Sequence, residues 1–411
     1  MHLQARSVLF ALAVALAPAA CALAPAPAHA EKLYDPGASD TEIRIGNTQP
    51  YSGTVSAFGT IGRTIAAYLR RINDEGGING RKLNFISYDD GYSPPKTVEL
   101  VRRLVEEDKV LLVFAPLGTA SNSAIQRYLN NRKVPQLFVS SSASKWGNPQ
   151  VFPWTMGWQP NYATEAGIYA RHILANVKDP KIAVLMQNDD YGRDYLAGFK
   201  EALGKPNERL IVQVATYEVA DPTVDSQMIQ LKSSGANVLF NITTPRFAAQ
   251  AIRKAAEIGW KPAHYLNNVS DSISSVMRPA GFENGQDIIV AQFRKDVTDP
   301  QWAAAPDVAA FHAFMAKYMP GADLADNNHV YGYAVTSTLV EVLRRCGDDL
   351  RRANVMRQAA GLRNLEVPLL LPGIRVNTSP TDFYPLQSLQ LARFEGERWK
   401  LFGPVISSES R

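Results

Sequence analysis

Short apolar segments alternate with amphipathic segments along most of this chain. The apolar segments have the length and composition of buried strands, and they lie at residues 42–46, 82–88, 110–115, 136–140, 182–186, 211–217, 238–242 and 264–267. Apolar residues recur at helical spacing between them, in a segment carrying Ile61, Ile65, Leu69 and Ile72 and in residues 97–108, 121–131, 191–203, 226–233 and 246–258. This alternation predicts an α/β fold whose doubly wound parallel sheets are covered on both faces.

The number of strand–helix units favours two sheets over one. About nine units exceed what one open sheet of ordinary size holds. A closed eight-stranded barrel is the alternative fold. Residues 148–162 interrupt the alternation between the two blocks of units, and we interpret this tract as an extended crossover.

The first thirty residues have the pattern of a cleavable export signal. Arg6 precedes an apolar run at residues 8–20, and Ala28-His29-Ala30 forms a small-residue cleavage site. The run is shorter than the ~20 residues that span a bilayer. Lipidation at Cys21 is an alternative, which the residues before it disfavour. We expect cleavage after Ala30 and a soluble, periplasmic protein.

Composition and motifs narrow the functional classes. The chain of 411 residues is 46% hydrophobic and 20% charged, and its net charge of +4 is spread along the sequence. The sequence lacks the dense stripe of basic residues that is typical of nucleic-acid-binding proteins. The six histidines are scattered, and no enzyme motif is evident. We therefore predict a protein that is not an enzyme and uses no metal or cofactor, and we expect Cys346 to be a buried, inert thiol.

Hydroxyl-rich segments follow two successive strands of the first block. They are residues 117–123 and the serines at 140–144. In open α/β sheets, ligands bind beyond the carboxyl ends of the strands. Helix capping alone accounts for each segment, but the pair predicts one site for a small anionic or polar group. In the second block, Thr244 is a capping or ligand residue and Tyr191 stands at a helix start.

Several segments together resemble a known protein family. They are IRIGNTQPYSGTVSAFG, INDEGGINGRKLNFISYDDGYSP, GTASNSAIQRYLNNRKVPQLFVSSSAS and IAVLMQNDDYGRDYLAGFKEAL. In order and spacing, residues 41–403 are similar to the periplasmic solute-binding proteins of ABC importers, in the branched-chain amino-acid (leucine/isoleucine/valine-binding) class. The resemblance implies the type I periplasmic binding fold, in which two lobes are joined by three crossover strands.

The resemblance also implies the domain layout and the mode of action. The first lobe would hold residues 41–156 and 291–376, and the second would hold residues 157–290 and 377–411. A solute would be trapped in the cleft by closure of the lobes. The expected partners are a small amino acid or organic acid and the membrane subunits of an ABC permease, and the expected state is a monomer.

The family's binding positions can be carried over to this sequence. Those that hold the solute carboxylate fall on Thr119, Ser142 and Ser144. The flanking aromatic position of the first lobe falls on Phe58. In the second lobe, the tyrosine at a helix start falls on Tyr191 and a further aromatic position on Thr244.

One position departs from the family pattern. Amino-acid binders place an acid there to pair with the solute ammonium, and this chain has Val269, with Asp271 two residues on. A buried ammonium without a carboxylate is costly. Either Asp271 replaces the acid, or the solute has no amino group. Trp158, in the crossover tract, either stacks on a planar solute or packs in the core.

We predict a small carboxylate, aromatic or branched aliphatic, as the solute, with an amino acid as the next candidate. Two other functions stay open at this point. One is an exported hydrolase that uses a serine of residues 140–144 as its nucleophile. The other is a sensor module that reports its liganded state to a membrane receptor.

Overall fold

The computed structural model describes residues 32–407, and the predicted export signal at residues 1–30 lies outside them. The strands in this part of the chain are β1 (Leu33–Tyr34), β2 (Glu42–Gln49), β3 (Lys82–Asp89), β4 (Leu112–Phe114), β5 (Gln136–Val139), β6 (Thr155–Gly157), β7 (Ile182–Gln187), β8 (Ile211–Tyr217), β9 (Val238–Ile242), β10 (Ala263–Leu266), β11 (Ile289–Gln292), β12 (Asp349–Leu350), β13 (Ser388–Glu395) and β14 (Arg398–Ser407).

The helices cover the faces of the sheets. They are α1 (Gly59–Asp74), α2 (Pro94–Glu106), α3 (Thr119–Asn131), α4 (Tyr162–Asn176), α5 (Asp190–Leu203), α6 (Asp225–Ser233), α7 (Pro245–Glu257), α8 (Arg278–Ala280), α9 (Pro306–Tyr318), α10 (Asn328–Cys346) and α11 (Arg352–Ala359). None of the helices found within residues 32–407 combines the length and the hydropathy that crossing a membrane requires.

The strands form two large open sheets. The five-stranded sheet has the order β3-β2-β4-β5-β6 and is parallel throughout. The seven-stranded sheet has the order β14-β13-β11-β10-β9-β7-β8. Its β11–β13 and β13–β14 pairs are antiparallel, and its other pairs are parallel. The short strands β1 and β12 pair with each other. The prediction of two mostly parallel sheets is therefore confirmed, and the closed-barrel alternative is wrong because both large sheets have free edges.

The predicted strands and helices agree closely with the structure up to β10. The bounds of β8 and β9 coincide with the predicted ones, because each is a short run that is buried or bounded by turns. Helix α4 was not predicted. Most of its residues are buried, so it lacks the polar stripe on which a periodicity argument depends. The tract at residues 148–162 contains β6, which adds an edge strand to the five-stranded sheet.

Helix α10 packs on α1 beside the five-stranded sheet. A Cβ atom at Gly332 would lie 2.8 Å from the Cβ of Thr64, so the two helices approach closely here. The Oγ1 of Thr64 and the Nδ1 of His329 share a hydrogen bond of 2.8 Å. Cys346, at the end of α10, is buried, and burial raises the pKa of its thiol to about 12. The prediction of a buried thiol on an apolar face is confirmed.

Candidate functional site

A cavity lies between the carboxyl edges of the two large sheets. Its lining residues follow strand ends or stand in first helical turns, and they are Phe58, Ile61, Tyr92, Leu117, Gly118, Thr119, Ser140, Gln159, Tyr162, Tyr191, Thr244, Asn268, Val269, Arg294, Asn328 and Tyr331. About 50 Å³ is open to the centres of water molecules. At ~10–15 Å³ for each water-sized group, the space suits a small solute.

One wall of the cavity follows strands β3, β4 and β5, and we call it the five-stranded wall. Its hydroxyl groups are already paired within the protein. Thr119 Oγ1 lies 2.7 Å from Ser141 Oγ and 3.3 Å from the hydroxyl of Tyr162. Ser140 Oγ donates to the carbonyl oxygen of Ala115 and accepts from the hydroxyl of Tyr331, both at 3.2 Å. These bonds hold the hydroxyls at set positions facing the cavity.

Backbone geometry on this wall brings the ring of Tyr92 close to Gly118. Gly118 has φ +97°, and a Cβ there would lie 2.6 Å from Cε2 of Tyr92. Tyr92 itself has φ +62°, which is uncommon for a residue with a side chain. Glycine at position 118 therefore allows the Tyr92 ring to lie against the start of α3.

The opposite wall follows strands β7, β9, β10 and β11, and we call it the seven-stranded wall. The side chains of Tyr191 and Asn268 are buried there. The hydroxyl of Tyr191 and the Nδ2 of Asn268 have no hydrogen-bond partner among residues 32–407. Burial raises the pKa of Tyr191 well above its ordinary value, so this hydroxyl keeps its proton at neutral pH. Both groups can donate to a solute.

The helix starts of this wall are set by local capping and aromatic packing. Asp189 Oδ1 accepts from the backbone N–H groups of Tyr191 and Gly192, at 3.0 and 3.3 Å. The Tyr191 ring meets the Tyr162 ring edge-on at 5.4 Å, and Tyr162 stacks on Tyr195 at 4.2 Å. The rings are therefore held in place before a solute enters.

A buried carboxyl group lies directly behind the seven-stranded wall. Glu165 accepts hydrogen bonds from the hydroxyl of Tyr195 at 2.5 Å and from the hydroxyl of Tyr169 and the backbone N–H of Asn268, both at 2.7 Å. Burial raises its pKa to about 8. Glu165 thus connects α4 and α5 to the loop that carries Asn268.

Arg294 lines the cavity, although it is not among the residues predicted from the sequence to form the site. It follows β11, and its side chain is only 8% exposed. Its Nη2 lies 2.9 Å from Oδ1 of Asp271. An arginine two residues after a buried strand, at the same sheet edge as the other site residues, is the signal that could have identified it.

Of the residues predicted to bind the solute, five line the cavity. They are Phe58, Thr119, Tyr191, Thr244 and Val269. The structure brings these side chains together from both sheets, as the rule for the carboxyl ends of strands implies. Their direct contact with a solute stays a prediction.

Asp271 does not line this cavity. Its Oδ1 accepts from Arg294 at 2.9 Å and from Asn327 Nδ2 at 2.5 Å, and its Oδ2 accepts from Gln292 at 3.3 Å. It lines a separate space of about 10 Å³ behind Arg294. The hypothesis that Asp271 pairs with a solute ammonium does not fit this arrangement, because its oxygens already have partners.

Ser142 and Ser144 do not line the cavity, and their contact with a solute stays a prediction. The N–H and Oγ–H of Ser144 donate to Oδ2 of Asp194 on α5, at 2.9 and 3.1 Å, so this serine joins the two sides of the molecule. Ser142 is buried, its carbonyl oxygen accepts from the N–H of Tyr162 at 2.8 Å, and its Oγ has no hydrogen-bond partner among residues 32–407.

Trp158 was expected either to stack on a planar solute or to pack in the core, and in the structure it packs in the core. It is fully buried, and its Nε1 donates to Oγ1 of Thr338 at 3.1 Å. Its ring meets the ring of Tyr331 edge-on at 5.3 Å. The tryptophan therefore supports a residue that lines the cavity and does not line it itself.

The serines at residues 140–144 have no histidine partner in the described part of the chain. The histidines within residues 32–407 are hydrogen-bonded elsewhere: His172 to Tyr265, His264 to Asn241, His312 to the carbonyl oxygen of Val297, and His329 to Thr64. A serine nucleophile needs an adjacent base. Nothing in this geometry favours the hydrolase alternative. Residues 32–407 also hold no cluster of three potential metal-ligating His, Cys, Asp or Glu side chains.

Comparison with known proteins gives matches over most of the chain. A family model for periplasmic binding proteins matches residues 42–398. Leu/Ile/Val-binding protein homolog 1 of Brucella suis is 26% identical over 258 residues, 59% of this chain and 66% of that protein. An amino acid binding protein of Pseudomonas aeruginosa is 25% identical over 207 residues, 48% of this chain and 53% of that protein. The matched regions thus span between half and two thirds of these curated relatives.

Solved structures share the fold. A branched chain amino acid ABC transporter from Thermus thermophilus with bound valine superposes with a TM-score of 0.81 at 14% identity, over 90% of this chain and 98% of that chain. A fatty acid ABC transporter substrate-binding protein from Thermomonospora curvata gives 0.75 at 20% identity, over 92% and 95%. At these identities, the likeness concerns the fold.

Proposed function

This chain belongs to the periplasmic binding protein family, and on that premise we propose that it captures a small organic solute and delivers it to an ABC import permease. The observation that carries the proposal is the cavity itself. It lies between two sheets, and it presents buried donors at Tyr191 and Asn268 that have no partner among residues 32–407. Buried polar groups without partners are costly, and a bound solute would satisfy them.

We further propose that the solute is held by closure of two lobes. Residues 41–156 with 291–376 would form one lobe, and residues 157–290 with 377–411 the other. Each lobe would carry most of one large sheet, with β6 and β11 crossing the lobe boundaries, and each sheet contributes a wall of the cavity. Hinge closure around a trapped ligand is a common switching movement, and the closed form is what a permease would recognise.

The relatives support a solute that carries a carboxylate. Valine is bound in one structure of this fold, and another is described as a fatty acid transporter protein. These two solute classes share a carboxylate and differ in the amino group. The proposed solute is therefore an amino acid or a carboxylic acid small enough for the cavity. The protein would act as a monomeric binding protein without catalytic activity.

A thermal-shift screen tests the proposal. Protein comprising residues 31–411 is unfolded and refolded to remove carried solute, and is then heated with branched-chain and aromatic amino acids and the matching deaminated acids. A solute at ~100 times its Kd stabilises the folded state by about 2.7 kcal/mol. We expect saturable stabilisation by at least one compound. Absence of any shift across the panel would contradict the proposal.

Two valine variants supply the matched control. Val269→Trp places a large ring in the cavity at a partly exposed lining position. Val151→Trp makes the same change at a residue that is 60% exposed and does not line the cavity. The first variant should lose the stabilisation and the second should keep it. Equal responses would show that the solute binds elsewhere.

Members of this family act outside the cytoplasm, and we propose that this chain is exported with cleavage after Ala30. The intact mass of protein recovered from a periplasmic extract tests this step. A chain that begins at Glu31 is the expected result. A mass that includes residues 1–30 would contradict the proposed cleavage.

A further inference from the structure

The cavity faces a single charged side chain. Among the lining residues of the described part of the chain, 32–407, Arg294 is the only charged one, and none of them is a carboxylate. Val269 presents a hydrocarbon side chain on the same wall. A protonated amine placed here would lose its hydration without gaining a carboxylate partner, and it would lie near a guanidinium.

Arg294 is held in place by a set of buried partners. Its Nη2 donates to Asp271 at 2.9 Å, and both side chains are at least nine-tenths buried. Its guanidinium carbon also lies 4.8 Å from the ring centre of Phe293 and 5.9 Å from that of Tyr331. Within residues 32–407, Asp271 is the only hydrogen-bond partner of this guanidinium. The remaining N–H groups of Arg294 are therefore available to a solute.

The carboxylate of Asp271 is already engaged by three side chains of the protein. Besides Arg294, it accepts from Asn327 and Gln292, and its backbone carbonyl accepts from Nε1 of Trp399 at 2.8 Å. Turning Asp271 toward the cavity would break these bonds and leave a buried guanidinium uncompensated. Breaking a buried ion pair in this way is strongly unfavourable.

The unpartnered groups of the cavity are also donors. Tyr191 offers a hydroxyl that stays protonated, and Asn268 offers its Nδ2. With Arg294, they form a set that matches carboxylate and carbonyl oxygens. Arginine is well suited to such oxygens because its planar guanidinium can donate two parallel hydrogen bonds.

We infer that the solute is a small organic acid without a protonated amino group, and that Arg294 is the residue that determines this specificity. The inference rests on the proposed function and names its substrate class. The guanidinium donates hydrogen bonds to an oxygen atom of the solute. The absence of a carboxylate at the cavity excludes α-amino acids.

Calorimetric titration with matched pairs of solutes tests the inference on the stripped protein. Each amino acid is compared with acids of the same carbon skeleton: leucine with 4-methyl-2-oxopentanoate and 4-methylpentanoate, phenylalanine with phenylpyruvate and 3-phenylpropanoate, and aspartate with succinate and oxaloacetate. We expect at least one acid to bind about 100-fold more tightly than its amino acid. An amino acid that binds as tightly as its acids overturns the inference and leaves the proposed function standing. Absence of binding by every compound overturns both.

Two variants separate the roles of Arg294 and Asp271. Asp271→Asn removes the carboxylate and keeps the guanidinium, so binding of the acid should be retained. Adding Arg294→Gln to Asp271→Asn removes the guanidinium without leaving an unpaired charge, and the affinity should fall about 100-fold relative to the single variant. Circular dichroism confirms that each variant is folded.

A surface arginine supplies the control. Arg278 forms an ion pair of 2.7 Å with Asp323, and both side chains are about half exposed. Arg278→Gln should leave the affinity for the acid unchanged. Loss of binding in a folded Asp271→Asn variant would overturn the inference, because it would show that the guanidinium does not hold the acid without the carboxylate. Equal affinities of the single and double variants would also overturn it.

Discussion

The two walls of the cavity are built from the same local unit, a strand that ends in a helix start, but they differ in how their polar groups are used. On the five-stranded wall, Thr119 and Ser140 are hydrogen-bonded to protein groups. On the seven-stranded wall, Tyr191 and Asn268 have buried donors without partners in the described part of the chain. Thr119 and Ser140 on the first wall have their hydrogen-bond partners without a solute, whereas Tyr191 and Asn268 on the second wall would gain hydrogen bonds from one.

This difference separates two kinds of substitution. Removing a group that is paired within the protein costs stability whether or not a solute is present. Removing a buried group that has no protein partner costs no protein hydrogen bond, so its effect should appear only in binding. The following predictions test that distinction, beginning with the largest expected effect.

The buried carboxyl group of Glu165, behind the seven-stranded wall, should make the free energy of unfolding depend on pH. The pKa of Glu165 is raised to about 8 in the folded protein, so between about pH 4.5 and pH 8 the folded state holds a proton that the unfolded state has released. Stability from this group is therefore present at low pH and is lost as pH rises toward 8. Glu165→Gln should abolish this contribution, so that the loss of unfolding free energy on raising the pH becomes smaller by a few kcal/mol.

Urea unfolding at about pH 5 and about pH 8 measures this effect. The free energy of unfolding of the unaltered protein should fall more steeply between these values than that of Glu165→Gln. Glu99→Gln, at an exposed position on α2, is the matched control and should leave the pH dependence as it is. The same slope for all three proteins would contradict the prediction.

A pair of tyrosine variants compares the two walls directly. Tyr191→Phe removes a hydroxyl without a protein partner, so the affinity for the solute should fall about 10-fold while the stability of the solute-free protein stays within about 0.5 kcal/mol. Tyr331→Phe removes a hydroxyl that donates to Ser140, and it should cost about 1 kcal/mol of stability. Chemical unfolding and calorimetric titration of both variants supply the measurements.

The tyrosine comparison has a clear contrary outcome. If Tyr191→Phe destabilises the solute-free protein as much as Tyr331→Phe does, the hydroxyl of Tyr191 has a partner within the protein. The distinction between the walls would then be wrong.

A change on the five-stranded wall should affect both stability and binding. Thr119→Val keeps the shape of the side chain and removes the Oγ1 that lies 2.7 Å from Ser141 and 3.3 Å from Tyr162. We expect a loss of about 1 kcal/mol in the solute-free protein and a several-fold lower affinity. Unfolding with and without solute measures the two effects. A loss of affinity with unchanged stability would contradict this prediction. It would show that the Thr119 hydroxyl, like the unpartnered groups of the seven-stranded wall, contributes only to binding.

The smallest expected effect concerns an ion pair that joins the two sides outside the cavity. Lys145, in the loop after β5, lies 3.0 Å from Oδ2 of Asp190 at the start of α5, and this bond lowers the pKa of Asp190. Both side chains are more than a third exposed. Lys145→Ala should therefore weaken solute binding by no more than about 1 kcal/mol, and only at low salt.

Titration at low salt and at about 1 M NaCl checks this prediction, because salt screens exposed charges. Lys400 supplies the control. Its ion pair with Glu395 lies within the β13–β14 hairpin, so it does not connect the two sheets. Lys400→Ala should not change the affinity at either salt concentration. A Lys145→Ala effect that persists at high salt would contradict a role based on charge.

Much of the fold could be predicted from local pattern. The strands from β2 to β10 apart from β6, most of the helices between them and the two-sheet arrangement agree with the structure, because a buried strand between amphipathic helices has a recognisable sequence. Helix α4 escaped prediction because it is buried on most sides and lacks a polar face. The sequence reasoning predicted no strand or helix at β11, which precedes Arg294, so the arginine was not considered for the site.

The site was predictable only as far as chain position determines it. Thr119, Tyr191 and Thr244 line the cavity because each stands at the carboxyl end of a parallel strand, which sequence reveals. Ser144 was predicted to contact the solute on the same grounds. In the structure it donates instead to Asp194, which lies fifty residues further along the chain and whose pKa is raised by burial.

The sequence alone therefore determined which segments become strands, which edges of the sheets carry polar side chains, and the family to which the chain belongs. The tertiary structure decided which of those side chains are free to bind. Asp271 and Arg294 are 23 residues apart, and only the fold pairs them, so that the cavity faces a guanidinium instead of a carboxylate. Hydrogen-bond partners are set by distances between remote parts of the chain, whereas strand and helix formation depends on neighbouring residues.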